Sequence, residues 1–115
     1  MSITIYHNPR CSKSRRTLQL LEQHGITPTI VEYLNDVPSA AEIERLVSLL
    51  GVDVRDIIRT GESSYTDLRL HDSNLGRTEL LQAIVDNPIL LQRPIVVSGD
   101  RAVIGRPPDN VLSIL

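Results

Sequence analysis

The 115-residue chain contains no tryptophan and no phenylalanine, so its core must be built from leucine, isoleucine and valine. It has one cysteine, Cys11, which excludes an internal disulfide and a thiolate-rich zinc site. No stretch approaches the ~20 apolar residues of a membrane span, and the first residues lack the apolar run of a signal peptide. We therefore expect a cytoplasmic protein with a free thiol, no membrane association and no bound metal.

Positive charge is local in this sequence and not a property of the whole chain. The net charge is −2, so bulk electrostatics does not favour nucleic acid as a partner. Lys13 is the only lysine, and the other basic residues are arginines. Genomic base composition would explain this bias, and so would a need for arginine forks that bind oxyanions. The length and a hydrophobic content of 41% predict one globular domain over residues 1–115, expected to be a monomer.

Hydrophobic periodicity and turn residues predict the order of the secondary structure elements. The best-defined helix opens with a capping box, Ser39 and Glu42, and ends at Gly51. A short helix is expected to end near Thr60, and a closing helix to be capped by Asp109. Strands are predicted at residues 3–6, 29–33, 95–97 and 102–104, helices at 12–24 and within 77–88, and a loop at 63–74.

This order is β-α-β, then helices, then β-β-α. The first crossover implies a parallel strand pair, and the turn at residues 98–100 implies an antiparallel hairpin. The prediction is an α/β protein of the thioredoxin-like class. It has a small, mixed four-stranded sheet, flanked by helices, and a helical insertion in the middle of the chain.

The segment "HNPRCSKSRRTL" places Cys11 at a predicted helix N-terminus among basic residues. Free helix N–H groups, the helix dipole and neighbouring charges such as Lys13 and Arg15 all favour a thiolate. A thiolate is a nucleophile, whereas most free cysteines are inert core residues. The polar flanks favour the nucleophile, with Lys13 and Arg15 as anion-binding candidates.

Ser14 gives a C-x-x-S spacing, in which the hydroxyl would reach back to the thiolate or simply cap the helix. Because no second cysteine follows, an external thiol must complete any redox cycle. A tyrosine-phosphatase loop needs arginine six residues after the cysteine, but Thr17 is there. His7 is interpreted either as a base or charge near the thiol or as a solvated loop residue.

The segments "IYHNPRCSKSRRTL", "IIR", "RPIVV" and "IGRPP" together resemble the ArsC-like family, the thioredoxin-fold arsenate reductases coupled to glutathione and glutaredoxin. The resemblance spans essentially the whole chain, in order and at compatible spacings. The pair Ser12-Lys13 departs from the Gly-Thr of well-characterised arsenic-resistance members, which raises the question of substrate.

The resemblance implies a role for each matching residue. Cys11 matches the nucleophile, and His7 and Ser14 match positions that tune it. Pro94 matches a proline that is cis across the family. The arginine trio that binds the oxyanion corresponds to Arg59, Arg93 and Arg106.

The implied reaction is reduction of arsenate to arsenite through an adduct on Cys11. Glutathione would act as co-substrate, glutaredoxin would be the protein partner, and no cofactor would be bound. Two alternatives stay open: a non-enzymatic Spx-like regulator that binds RNA polymerase, and a thiol oxidoreductase of the monothiol glutaredoxin kind.

Overall fold

The computed structural model describes residues 2–115, and a mixed four-stranded sheet is its central element. The strands are β1 (Ile3–His7), β2 (Thr29–Glu32), β3 (Ile95–Ser98) and β4 (Arg101–Ile104), in the order β2-β1-β3-β4. β1 pairs in parallel with β2 and antiparallel with β3, and β3 pairs antiparallel with β4. The predicted thioredoxin-like sheet with helices packed against it is confirmed.

Burial follows the position of each strand in the sheet. The central strands β1 and β3 are buried along nearly all of their length, because each has a neighbouring strand on both sides. The outer strand β2 is largely exposed and carries a charged residue, Glu32, which protects a free sheet edge. At the β3–β4 turn Gly99 has φ 62°, which matches a two-residue hairpin turn with glycine first.

The helix α1 (Ser12–Gln23) connects β1 to β2 and follows the amphipathic pattern expected of it. Its residues Leu20 and Leu21 join Ile5 and Val96 of the sheet in one apolar core. The C-terminal segment Pro108–Ile114, a 3₁₀ helix, adds to the same core through its own apolar side chains. No side-chain hydrogen bond caps this 3₁₀ helix, so the expected Asp109 cap is wrong.

The chain divides into two compact units by its internal contacts. One contains the described residues through Asp36 together with Arg93–Leu115, and it holds the whole sheet. The other, Val37–Gln92, is the helical insertion, inserted in sequence between β2 and β3. The expectation of one domain over residues 1–115 stays a prediction.

The insertion contains α2 (Ala40–Leu50), α3 (Ser63–Asp67) and α4 (Arg77–Asp86). In α2 the Ser39 hydroxyl accepts from the N–H of Glu42 at 3.1 Å, and Gly51 ends the helix with φ 69°, as predicted. The expected short helix is a 3₁₀ turn, Val54–Ile57, and part of the expected loop forms α3. None of the helices within residues 2–115 is long and apolar enough to cross a membrane.

Candidate active site

Strand pairing brings three chain segments to one end of the sheet. Tyr6, near the end of β1, is paired with Ile95 at the start of β3, and Ile95 is also paired with Ile104 at the end of β4. The residues after β1, before β3 and after β4 therefore meet at this end. Those segments contain Cys11, Arg93 and Arg106, which are far apart in sequence.

A tight turn after β1 presents Cys11 at the start of α1. The backbone oxygen of Asn8 accepts from the N–H of Cys11 at 3.0 Å, and the Asn8 side chain accepts from the N–H of Arg10 at 3.0 Å. Asparagine favours such turns because its side chain bonds the backbone two residues on. Cys11 is the N-cap residue, with extended backbone angles, and it is partly exposed. The thiol thus lies in front of the helix N-terminus.

The surroundings of Cys11 favour its thiolate. Burial acts to raise the pKa of the thiol, but the backbone N–H of Ser14, the Arg93 side chain and the backbone N–H of Lys13 outweigh it. The pKa of Cys11 is consequently lower than that of an ordinary thiol. The predicted helix N-terminus and positive charge both contribute, although the main cationic side chain is distant Arg93 rather than a neighbour in sequence.

Arg93 and Arg106, the predicted arginines of the sheet unit, lie beside the thiol. Arg93 is buried, with 8% of its surface exposed, and its guanidinium bonds the sulfur of Cys11. Nη1 of Arg106 lies 3.9 Å from Cys11 Sγ and donates to the backbone oxygen of Arg93 at 3.2 Å. The Arg93–Pro94 peptide bond is cis, and so is the Arg106–Pro107 bond, which the sequence reading did not anticipate. Arg93 and Arg106, which were predicted from distant parts of the sequence, therefore both lie at the Cys11 sulfur.

Gly105 allows the chain before Arg106 to pack closely against α1. A Cβ atom at Gly105 would lie 2.6 Å from Thr17 Oγ1 and 2.8 Å from Pro94 Cγ, closer than atoms can approach. The N–H of Gly105 donates to the backbone oxygen of Pro94 at 2.9 Å, and Thr17 is fully buried. Sequence reasoning missed Gly105 and Thr17 as parts of the site, and the signal was the glycine in "IGRPP".

The hydroxyl of Ser14 has other partners than the one expected. It lies 2.6 Å from Nδ1 of His7 and accepts from the N–H of Asn8 at 3.1 Å. Ser14 acts on Cys11 through its backbone N–H instead. His7 is the last residue of β1 and is buried, so the solvated-loop interpretation of this histidine is wrong.

The charge state of His7 follows from this burial. Burial lowers the pKa of His7, Glu32 opposes that effect, and Arg15 adds to it. The lowered pKa favours the neutral imidazole, which does not suit the proposed charge near the thiol. A role as a base stays a prediction.

Lys13 and Arg15 are exposed on the first turn of α1. Arg15 donates from Nη1 to the backbone oxygen of Pro9 at 3.0 Å, so its side chain braces the turn before Cys11. Substrate binding by Lys13 and Arg15 stays a prediction.

Arg59 belongs to the second unit, where its guanidinium is held by two acceptors. Its Nε donates to Glu62 Oε1 at 3.2 Å, and its Nη1 donates to Gln92 Oε1 at 3.1 Å. Its side chain is 25% exposed. The oxyanion-binding role of Arg59 stays a prediction.

The arrangement in the sheet unit suits thiolate chemistry on an anion. Cys11 provides a thiol with a lowered pKa, and Arg93 and Arg106 provide positive charge and hydrogen-bond donors beside it. Within residues 2–115 no group of three metal-ligating side chains is found. Fold and site together define a thioredoxin-like protein with a single cysteine facing arginines.

Comparison with known proteins places the chain in a family. The sequence model of the ArsC family matches residues 6–114, and the chain belongs to that family. It is 49% identical to a Haemophilus influenzae protein named arsenate reductase, over 100% of both chains. It is also 49% identical to the uncharacterized Escherichia coli protein YfgD, over 98% of this chain and 96% of that protein. A solved structure of an arsenate reductase from Vibrio cholerae covers 100% of this chain and 98% of its own, with 49% identity and a TM-score of 0.98.

Proposed function

We propose that the protein is an arsenate reductase that turns over with glutathione and glutaredoxin. The observation that carries this proposal is the position of Cys11, at a helix N-terminus with Arg93 and Arg106 beside its sulfur. Relatives named arsenate reductase at 43% and 49% identity support the same substrate.

Arsenate is a tetrahedral oxyanion that needs both charge compensation and directed donors. The guanidinium groups of Arg93 and Arg106 supply both, because each can donate two parallel hydrogen bonds to adjacent oxygens. The family resemblance assigns Arg59 to the same task, with Lys13 and Arg15 adding positive charge on the first turn of α1. The helix N–H groups stabilise the negative charge further.

The first chemical step is attack of the Cys11 thiolate on arsenic. A sulfur–arsenic bond forms, an arsenic–oxygen bond breaks, and the oxygen leaves as water after taking up a proton. The lowered pKa of Cys11 supports this step, because it increases the fraction of thiolate, the attacking species, at a given pH. His7 is bonded to the hydroxyl of Ser14, whose backbone N–H stabilises the Cys11 thiolate, so we assign His7 to tuning the nucleophile.

Reduction requires two electrons, and two thiols supply them. The thiolate of glutathione attacks the Cys11 sulfur of the adduct, a disulfide forms between the two sulfurs, and the arsenic–sulfur bond breaks. Arsenic keeps that electron pair and leaves as arsenite. Because the chain has no second cysteine, glutaredoxin must then remove glutathione from Cys11 by thiol–disulfide exchange.

The test is arsenite formation by the purified protein in the presence of glutathione and glutaredoxin. We expect turnover in the wild type and none in Cys11→Ser. Arg106→Met should raise the KM for arsenate by about tenfold or more, because it removes a charged hydrogen-bond donor.

Arg45→Met is the matched control, since Arg45 is exposed on α2. This variant should keep the wild-type KM. Arsenite formation that persists in Cys11→Ser, or its absence from folded wild-type protein under these conditions, would reject the proposal.

A further inference from the structure

We infer that Gln92 is a positioning residue for Arg59, fixing the orientation of the guanidinium to which oxyanion binding is assigned. The inference deepens the proposed function and rests on the oxyanion role proposed there for Arg59. It concerns a residue to which neither the sequence motifs nor the family resemblance assigned a role.

Backbone pairing within the second unit sets the two side chains against each other. The N–H of Arg59 donates to the oxygen of Leu90 at 2.7 Å, and the N–H of Gln92 donates to the oxygen of Ile57 at 2.8 Å. An antiparallel bridge pairs Ile58, which precedes Arg59, with Leu91, which precedes Gln92. Arg59 and Gln92 therefore have fixed backbone positions before any side chain interacts.

Side-chain hydrogen bonds then hold two of the three guanidinium nitrogens of Arg59. Gln92 Oε1 accepts from Nη1 of Arg59 at 3.1 Å, and Glu62 Oε1 accepts from Nε at 3.2 Å. Within its own unit the third nitrogen, Nη2, has no hydrogen-bond acceptor. An arginine side chain has much rotamer freedom, and two anchors reduce the entropy lost when it binds a ligand.

The two anchors differ in charge, and this distinguishes their effects. Glu62 carries a carboxylate, which competes with a bound anion for the positive charge of Arg59. Gln92 is neutral, so it orients the guanidinium without offsetting its charge. For that reason we assign the positioning role to Gln92 rather than to Glu62.

Protection of Cys11 from iodoacetamide by arsenate measures oxyanion binding without any reductant. The quantity of interest is the arsenate concentration that halves the alkylation rate, with each variant compared against its own rate without arsenate. For Gln92→Met, which keeps the side-chain length and loses the acceptor, this concentration should rise about three- to tenfold, the effect of one lost hydrogen bond. Gln92→Ala should give the same direction and serves if the methionine variant folds poorly.

The decisive measurement is the double variant with Arg59→Met. If Gln92 acts through Arg59, adding Gln92→Met to Arg59→Met should change the arsenate concentration that halves the alkylation rate by less than about twofold. Gln82→Met is the matched control, because Gln82 is exposed on α4 and bonds Asp86 instead. Gln82→Met should leave the arsenate concentration that halves the alkylation rate unchanged.

The outcomes separate the inference from the function on which it rests. If arsenate protects Cys11 in Arg59→Met as well as in the wild type, or does not protect Cys11 in the wild type at all, the oxyanion role of Arg59 fails. The inference then fails with it. If Arg59→Met weakens protection but Gln92→Met and Gln92→Ala do not, only the inference is overturned. An equal effect of Gln92→Met with and without Arg59 would also overturn it, because the effect would then reach the oxyanion by another route.

Discussion

At the scale of single residues, the site depends on groups that act on one sulfur atom. The N–H groups at the helix N-terminus and the buried Arg93 both stabilise the Cys11 thiolate. Together they outweigh the effect of burial on the pKa of Cys11. Ser14 contributes its backbone N–H to the thiol and its hydroxyl to His7. One residue thus serves two neighbours, which explains why it is fully buried although it is polar.

The reactivity of Cys11 should show its lowered pKa directly. The rate of iodoacetamide alkylation should rise with pH around a midpoint below about 8.5, the value of a free cysteine. Removing the positive charge in Arg93→Met should raise that midpoint, because the thiolate loses a stabilising donor. Arg45→Met, exposed on another helix, is the control and should not move it. A wild-type midpoint at or above 8.5, or no change in Arg93→Met, would contradict this electrostatic account.

At the scale of secondary structure elements, the site depends on how closely the segment after β4 approaches α1. Gly105 lies between Thr17 of the helix and Pro94 before β3, and no side chain fits there. The residue that follows is Arg106, whose Nη1 reaches both Cys11 and the Arg93 backbone. Packing at Gly105 therefore sets the position of a charged group at the thiol.

Gly105→Ala should destabilise the protein by about 1–3 kcal/mol, the usual cost of overpacking a filled region. It should also weaken arsenate protection of Cys11, because the segment bearing Arg106 must shift. Gly61→Ala is the matched control, since a Cβ at Gly61 meets nothing within 4 Å. Chemical denaturation measures the free energy of unfolding of both variants. Equal stability of the two would show that the close approach at Gly105 is unimportant.

At the scale of the whole molecule, the buried His7 links protonation to the free energy of unfolding. The pKa of His7 is lowered in the folded protein, chiefly by burial, so the unfolded chain binds a proton there first as pH falls. The side chain then favours unfolding, and stability decreases as pH drops below about 6.5, the ordinary histidine value. The loss of stability continues until the pH reaches the lowered pKa of His7 in the folded protein.

We expect His7→Gln to reduce the slope of unfolding free energy against pH just below about pH 6.5, where the unfolded histidine takes up its proton. One proton can contribute at most about 1.4 kcal/mol per pH unit to that slope. The exposed His71 provides the control variant His71→Gln, which should keep the wild-type slope. Denaturant titrations at several pH values give the slopes, and identical slopes for wild type and His7→Gln would exclude this linkage.

Local patterns in the sequence were enough to predict most elements and the main candidate residue. Apolar periodicity, the Ser39 cap and the glycine stops depend on contacts within a few residues, so they can be read along the chain. The cysteine among basic residues before α1 likewise indicated a reactive thiol without any knowledge of the sheet. Short elements were less predictable, because α3 and the 3₁₀ turns are too short to carry a hydrophobic period.

Contacts between distant residues depended on the strand order and could not be read from the sequence. Arg106 lies beside Cys11, 95 positions away, because the ends of β1 and β4 meet the start of β3 at one end of the sheet. The bond of the Ser14 hydroxyl to His7 is local, seven positions apart, but it depends on the burial of both side chains where α1 follows β1. The family resemblance named these residues, while backbone pairing and close packing at Gly105 determine the distances at which they act.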